Sequence, residues 1–204
     1  DMTLTEFADE TASESPAPGG GSISAYMGQM GAALGTMVAN LSAHKRGWDE
    51  RWEEFSYWAE KGMHYVNELN KMVDADTDAF NLIMAAFGLP KKTDADKAAR
   101  KQAIQDATKE ATLVPYKVME LCFESMEVAK AMAEIGNPNS VTDAGVGALA
   151  ARAGVQGAYL NVKINAADIE DEAFRTDILA KGAKIEADAI ALETEILKVV
   201  NGKI

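Results

Sequence analysis

Cysteine occurs once, at Cys122, and histidine only at His44 and His64 in a chain of 204 residues. A single thiol excludes an internal disulfide. With no histidine near it in sequence, Cys122 reads as a buried apolar side chain rather than a nucleophile, and a reducing cytoplasm is the compartment that fits. No group of Cys and His has metal-ligand spacing, so no metal site is expected. No stretch alternates β-branched residues between turns, which argues against a sheet. Basic residues are few: 20 against 32 acidic, a formal charge of -12, which argues against nucleic acid or an anionic membrane as partner. An anionic ligand would need a local basic pocket. The chain opens on Asp1 with no cleavable signal pattern and no initiator Met, as expected of a trimmed chain or a piece of a longer one.

What is present centres on Ser15-Pro16-Ala17-Pro18-Gly19-Gly20-Gly21-Ser22, which runs into an uncharged segment from Ile23 to Ala43. The prolines discourage helix before the turn, and the glycines permit dihedrals closed to other residues and let a ligand approach the main chain. Ser22 is a good N-cap, so the free N–H groups of the first helical turn would face the same space, a geometry suited to an anionic or strongly polar ligand. Gly/Ser runs commonly serve as linkers, but linkers rarely feed straight into an apolar, glycine-spaced helix. A dinucleotide fingerprint is excluded because no strand precedes the glycines, and a P-loop because no Gly-Lys-Ser/Thr follows.

Helical periodicity runs through nearly the whole chain, and one domain, residues 1–204, is expected. Thr3-Leu4-Thr5-Glu6 has capping-box spacing and opens a short helix ending near Ser13. A helix from Ser22 to Ala43 carries Gly28, Gly31 and Gly35 among Met27, Met30, Leu34, Met37 and Leu41, and its polar residues dilute it below a membrane span. Small residues at this spacing let another helix pack very close. Trp48 to Gly88 reads as one long helix, bent near Gly62. Thr93 or Asp94 caps the next, which runs to Ile135 with Pro115 kinking it near Thr112. Gly136-Asn137-Pro138-Asn139-Ser140 forms a stop and a turn. Another small-residue helix starts at Thr142, and an amphipathic outer helix from Glu170 to Asn201 closes the chain. The expected fold is an all-α bundle with two glycine-rich central helices.

Six motifs stand in order: Pro16-Ala17-Pro18-Gly19-Gly20-Gly21-Ser22, Met37-Val38-Ala39-Asn40-Leu41-Ser42, Leu89-Pro90-Lys91, Gly136-Asn137-Pro138-Asn139-Ser140, Asp143-Ala144-Gly145-Val146-Gly147-Ala148-Leu149, and Tyr159-Leu160-Asn161-Val162-Lys163-Ile164-Asn165. Together they resemble the cyclodeaminase/cyclohydrolase family, the C-terminal half of formiminotransferase-cyclodeaminase and the stand-alone methenyltetrahydrofolate cyclohydrolases. The resemblance covers essentially the whole chain. It departs at Ala43-His44, where a Leu- or Thr-Gly pair is expected ahead of Lys45-Arg46. The resemblance implies an all-helical homodimer or higher homo-oligomer and a tetrahydrofolate derivative, with or without a polyglutamate tail, as substrate. It also implies no cofactor and, as a partner, a formiminotransferase. Cyclodeamination of formiminotetrahydrofolate is the expected reaction, with opening of methenyltetrahydrofolate by water as the alternative. A helical assembly or folate-binding module without catalysis is the reading from another class.

Ring closure with loss of ammonia needs an acid for the leaving nitrogen, a proton acceptor and stabilisation of a delocalised cation. Asp143, in a first helical turn, is the carboxylate the resemblance implies, although an Asp there also complements the helix dipole. Lys45 joins it as a candidate catalytic residue from its place in the motif. Lys45, Arg46, Lys91 and Lys92 are the cations available to a glutamate tail. Candidate binding residues are Gly19, Gly20, Gly21, Ser22, Asn40, Ser42, Asn139, Ser140, Asn161 and Asn165. The last two lie four apart, so their amides share a helix face and could read a pterin edge or simply join helices. His64 reads as structural, and His44 as a possible proton shuttle. Asp74, Asp76 and Asp78 do not share a helical face, so no metal site is expected there; Asp78, beside Ala79-Phe80, is the one singled out.

Overall fold

Thr3 opens the first helix with the expected capping box: its hydroxyl accepts from the Glu6 N–H at 3.2 Å, and Glu6 accepts from the Thr3 N–H at 2.7 Å. The computed structural model describes residues 2–204, and among them the chain forms six α-helices and no strand: α1 (Leu4–Thr11), α2 (Gly20–Ala43), α3 (Trp52–Phe87), α4 (Asp94–Ile135), α5 (Val141–Ala167) and α6 (Glu172–Asn201). From α2 onward, successive helices run up and down. The all-α bundle read from the sequence is the fold observed.

Boundaries differ from expectation at two informative places. α2 begins at Gly20 with Gly19 as its N-cap, so Ser22 is the third helical residue and not the cap. Trp48 precedes α3 rather than opening it: Asp49–Arg51 form a 3-10 turn and the helix starts at Trp52. Trp48 instead stacks on Phe55, ring centroids 5.4 Å apart, an aromatic contact that holds it off the helix axis. α4 runs unbroken through Pro115. A proline leaves the carbonyl four residues earlier without its helical partner, and here Asn165 of α5 supplies one, donating from Nδ2 to the Ala111 carbonyl at 2.6 Å.

α2 sits between α3, α4 and α5 with its glycines at the contacts. A Cβ on Gly31 would lie 2.6 Å from the Gly147 carbonyl and 2.8 Å from the Ala151 nitrogen, both backbone atoms of α5. A Cβ on Gly28 would overlap the Cys122 sulfur of α4, and one on Gly154 would lie 2.9 Å from that same sulfur. Cys122 is fully buried where the three helices meet, and burial pushes its thiol well above the ordinary range. Gly136 ends α4 in an extended conformation, with φ at -73°; its small size admits Val38, whose Cγ1 would lie 2.9 Å from a Cβ there. α6 packs on α4 and α5 through Ile178, Ala189, Ile196 and Val200, and the Arg152–Glu193 ion pair fastens it to α5, both side chains being largely buried. No helix among the described residues is long and apolar enough to cross a membrane.

Two outcomes are expected. Gly31→Ala, which in an exposed helix would stabilise by about 1 kcal/mol, should here destabilise by about 1–3 kcal/mol in urea titration because its new methyl meets backbone. Cys122 should react with a thiol reagent only at the rate of unfolding, since neither access nor a thiolate is available in the native bundle.

Candidate active site

The glycine turn works through space, not dihedrals. None of Gly19, Gly20 and Gly21 has a positive φ; among the described residues the only such glycine is Gly47. Instead, a Cβ on Gly21 would overlap the carboxylate of Asp76, and one on Gly20 would lie 3.4 Å from Asn161 Nδ2. Asp76, on α3, accepts from both the Ser22 N–H at 2.8 Å and the Ser22 hydroxyl at 2.9 Å. The N-terminus expected to receive an anionic ligand is therefore filled by a carboxylate of the chain itself, which the helix dipole favours there. Ser22 is fully buried with its donors engaged and offers a ligand nothing from this position. Asp78, the carboxylate singled out from sequence, is exposed, while Asp76 turns inward.

Asn161 donates to the Gly157 carbonyl at 2.9 Å, which leaves its side-chain oxygen available beside Gly20. Asn165 is occupied by the Ala111 carbonyl. A cavity of about 650 Å³ runs alongside this turn, between α1, α2 and α3, with Pro18, Tyr26, Gln29, Asn70 and Thr77 in its wall. Its charged lining is acidic: Glu10, Asp74 and Asp78, with no Lys, Arg or His. A glutamate tail would be repelled here, and hydrogen-bond donors would be welcome.

The remaining candidates gather at the other end of α2. Ser42 accepts from the Asn137 N–H at 2.8 Å and donates to the Val38 carbonyl at 2.6 Å, joining the end of α2 to the turn before α5. Ser42 is fully buried and Ser140 nearly so, whereas Asn40 and Asn139 are exposed. Asp143 is half-buried in the first turn of α5, and among the described residues its carboxylate takes no side-chain hydrogen bond and no ion pair. Lys45 sits over the Trp48 ring at 4.0 Å from its centroid. A second cavity of about 490 Å³ lies here, lined by Asn40 and His44 with Met37, Leu41 and Met63. Lys91 and Lys92 follow the end of α3, which runs eleven residues, about 16 Å, past Asp76.

One protomer thus holds two clusters. Gly19, Gly20, Gly21, Ser22 and Asn161 gather with Asp76 at one end; Asn40, Ser42, Lys45, Asn139, Ser140 and Asp143 gather at the other. Ser22 and Ser42 are twenty helical residues apart, about 30 Å. The structure does not bring the two sets together within a chain. Asp76 was missed in sequence because two acidic neighbours at alternate positions masked its inward orientation, and its partner lies 54 residues away.

An antiparallel helical bundle of this design, with a glycine-rich turn gripped by facing helices and an unpaired carboxylate at the far end, defines a class. The chain belongs to the formiminotransferase-cyclodeaminase family, whose model matches residues 3–184. It is 41% identical over 202 residues to a methenyltetrahydrofolate cyclohydrolase of Methylorubrum extorquens, a match covering 99% of this chain and 97% of that protein. It is 34% identical over 175 residues to the formimidoyltransferase-cyclodeaminase of Rattus norvegicus, where it covers 86% of this chain but 32% of that longer protein. The crystal structure of formiminotetrahydrofolate cyclodeaminase from Thermotoga maritima superposes with a TM-score of 0.87 at 30% identity, covering 98% of this chain and 96% of that one.

The two asparagines separate by phenotype. Asn165→Ala should cost about 1–3 kcal/mol of stability by leaving the Ala111 carbonyl unpartnered, with KM unchanged in the folded protein. Asn161→Ala should keep stability within about 0.5–1.5 kcal/mol of wild type while raising KM, as steady-state kinetics on soluble protein would read.

Proposed function

We propose that this chain closes the methenyl bridge of tetrahydrofolate, acting as a formimidoyltetrahydrofolate cyclodeaminase. The observation that carries this reading is the likeness, over nearly the full length of both chains, to the Thermotoga maritima cyclodeaminase. In this reaction the exocyclic nitrogen attacks the formimino carbon, the new C–N bond forms, and the bond to the departing nitrogen breaks. Asp143, without a protein partner of its own, takes the proton from the attacking nitrogen and returns one to the leaving ammonia. Lys45 meets the glutamate tail. The formimino group arrives from a formiminotransferase, as in histidine degradation, in the cytoplasm. A second reading rests on the 41% identical full-length relative: a cyclohydrolase, in which water attacks the methenyl carbon and the same carboxylate acts as base.

The site proposed here is completed by a second copy of the chain. α2 and α5 lie side by side, antiparallel, and their outward face is apolar: Met30, Met37 and Leu41 on α2, Val146, Leu160 and Ile164 on α5, with Ile164 69% exposed. Ser22 to Ala43 contributes no charge to it. A face about 36 Å long and two helices wide offers on the order of 700 Å² per copy, close to what a stable interface buries from each partner. A two-fold axis lying in the interface at mid-face and crossing the helices at right angles sets the glycine turn of each copy against the Asp143 end of the other. That arrangement closes the 30 Å gap twice over.

Absorbance of the methenyl chromophore distinguishes the reactions. Appearance of methenyl product with ammonia release from formiminotetrahydrofolate is expected; loss of methenyl signal from methenyltetrahydrofolate with no formimino activity would establish the cyclohydrolase instead. Asp143→Asn should fold normally and lose at least about two orders of magnitude in turnover. At a substrate concentration well below the raised KM of Asn161→Ala, where each variant alone is slow, mixing Asp143→Asn with Asn161→Ala subunits after dissociation should restore the rate toward about a quarter of wild type, since half the dimers are mixed and each carries one intact site; a mixture no faster than the average of the two variants measured separately would leave both residues in one protomer's site.

A further inference from the structure

The first turn of α2 is gripped from three helices. From α3, Asp76 receives both hydrogens of Ser22 on one oxygen, at 2.8 and 2.9 Å, and its carboxylate fills the space above Gly21. From α2 itself, Ser24 donates to the Gly20 carbonyl at 2.6 Å. From α5, Asn161 closes on Gly20. Among the described residues no Lys, Arg or His forms an ion pair with Asp76. Its charge is met by the peptide dipoles and hydroxyl of the turn alone. A carboxylate in this place has two consequences. It fixes the turn relative to α3, so that the exposed edge at Gly19 and Gly20 has one shape; and its negative charge, with Glu10, Asp74 and Asp78 in the adjoining cavity, turns away anionic groups.

We propose that Asp76 is a positioning residue of the folate site, holding the glycine turn in the shape that receives the neutral, donor-rich pterin end of the ligand and directing the glutamate tail away from it, toward Lys45 of the partner subunit. This rests on the folate reading given above. Asp76 does not touch the reacting atoms; it acts through the turn. Because Gly21 exists to admit the carboxylate, the two positions form one device, and damage to either is the same damage.

The test measures KM and kcat, and by calorimetry the Kd for 5-formyltetrahydrofolate, on wild type, Asp76→Ala, Asp76→Asn, Gly21→Ala, Ser22→Ala and the Asp76→Ala/Gly21→Ala double variant, each checked for helix content and oligomeric state. Asp76→Ala should raise KM and Kd about tenfold with kcat within about threefold of wild type. Asp76→Asn keeps an acceptor oxygen for Ser22 and should recover most of the loss. Gly21→Ala should reproduce Asp76→Ala, and the double variant should be no worse than the worse single. Should Gly21→Ala fail to fold, Ser22→Ala, which removes one of the two bonds, carries the comparison with a rise of about threefold. Unchanged KM and Kd in folded Asp76→Ala would overturn the proposal. So would additive losses in the double variant, or a fall in kcat that Asp76→Asn does not rescue, which would make Asp76 a proton carrier. A wild type that binds folate without turning it over sinks the proposed activity but leaves this inference to the Kd values; a wild type that binds no folate sinks both.

Discussion

Everything in this bundle depends on how closely α2 approaches its neighbours. Backbone meets backbone at Gly31 and Gly147, and Gly28 and Gly154 close from two sides on the Cys122 sulfur. Contacts this tight leave no room for a methyl, still less for a charged side chain seeking water, and α2 accordingly carries no charge from Ser22 to Ala43. Dispersion over many short contacts, and not a few large aromatic side chains, holds the centre together. The rigidity has a functional corollary. A helix clamped along its length cannot bend its ends toward each other, so the groups at Ser22 and Ser42 stay about 30 Å apart and the proposed site must be completed from outside the protomer.

Polar groups in the bundle are spent on joining elements. Ser42 ties the end of α2 to the turn before α5, Asn165 answers the carbonyl freed by Pro115, Lys203 closes the carbonyl end of α4 through Ala133 and Glu134, and Arg152 and Glu193 fasten α6. Most of these links are at least partly buried, and among the described residues no buried side-chain polar atom lacks a partner. Asp143 takes part in no such link. A half-buried carboxylate with no donor supplied by its own chain has capacity left for a substrate, and this carries its candidacy further than its place in a helix N-terminus does. The surplus of acid over base is not spread evenly: among the described residues, the only charged ones lining the cavity by the glycine turn are the acids Glu10, Asp74 and Asp78, while Lys45, Arg46 and His44 lie at the far end of α2.

Family membership supplies the chemistry at issue, the making or opening of a methenyl bridge on tetrahydrofolate, and the relatives divide between the two reactions. The Methylorubrum extorquens protein is named for hydrolysis and the Thermotoga maritima protein for deamination, yet both match this chain along its length. The same scaffold therefore accommodates attack by water or by the substrate's own exocyclic nitrogen. What differs between those reactions is which nucleophile the site admits, a matter of a few groups around the one-carbon unit and not of the bundle.

Local physics was legible from residue order alone. The capping box at Thr3, a cap at Thr93 or Asp94, the uncharged glycine-spaced helix, the stop at Gly136 and the small-residue helix after it all express constraints that act within a few residues, and the all-α fold followed from them. The motifs were also enough to name the family. Tertiary structure decided what distant residues do to one another. Ser22 looked like an N-cap because its type favours one; it lies three residues past the cap at Gly19, and Asp76, 54 positions away, supplies the acceptor in its stead. The glycines of the turn looked like a demand for unusual dihedrals and proved to be a demand for space. Asn161 and Asn165 share a helix face, yet one borders the glycine turn and the other is committed to α4, because only Pro115 left a carbonyl open. Helical period sets which side of a helix a residue is on; which neighbour that side meets depends on packing, and packing is a property of the whole chain.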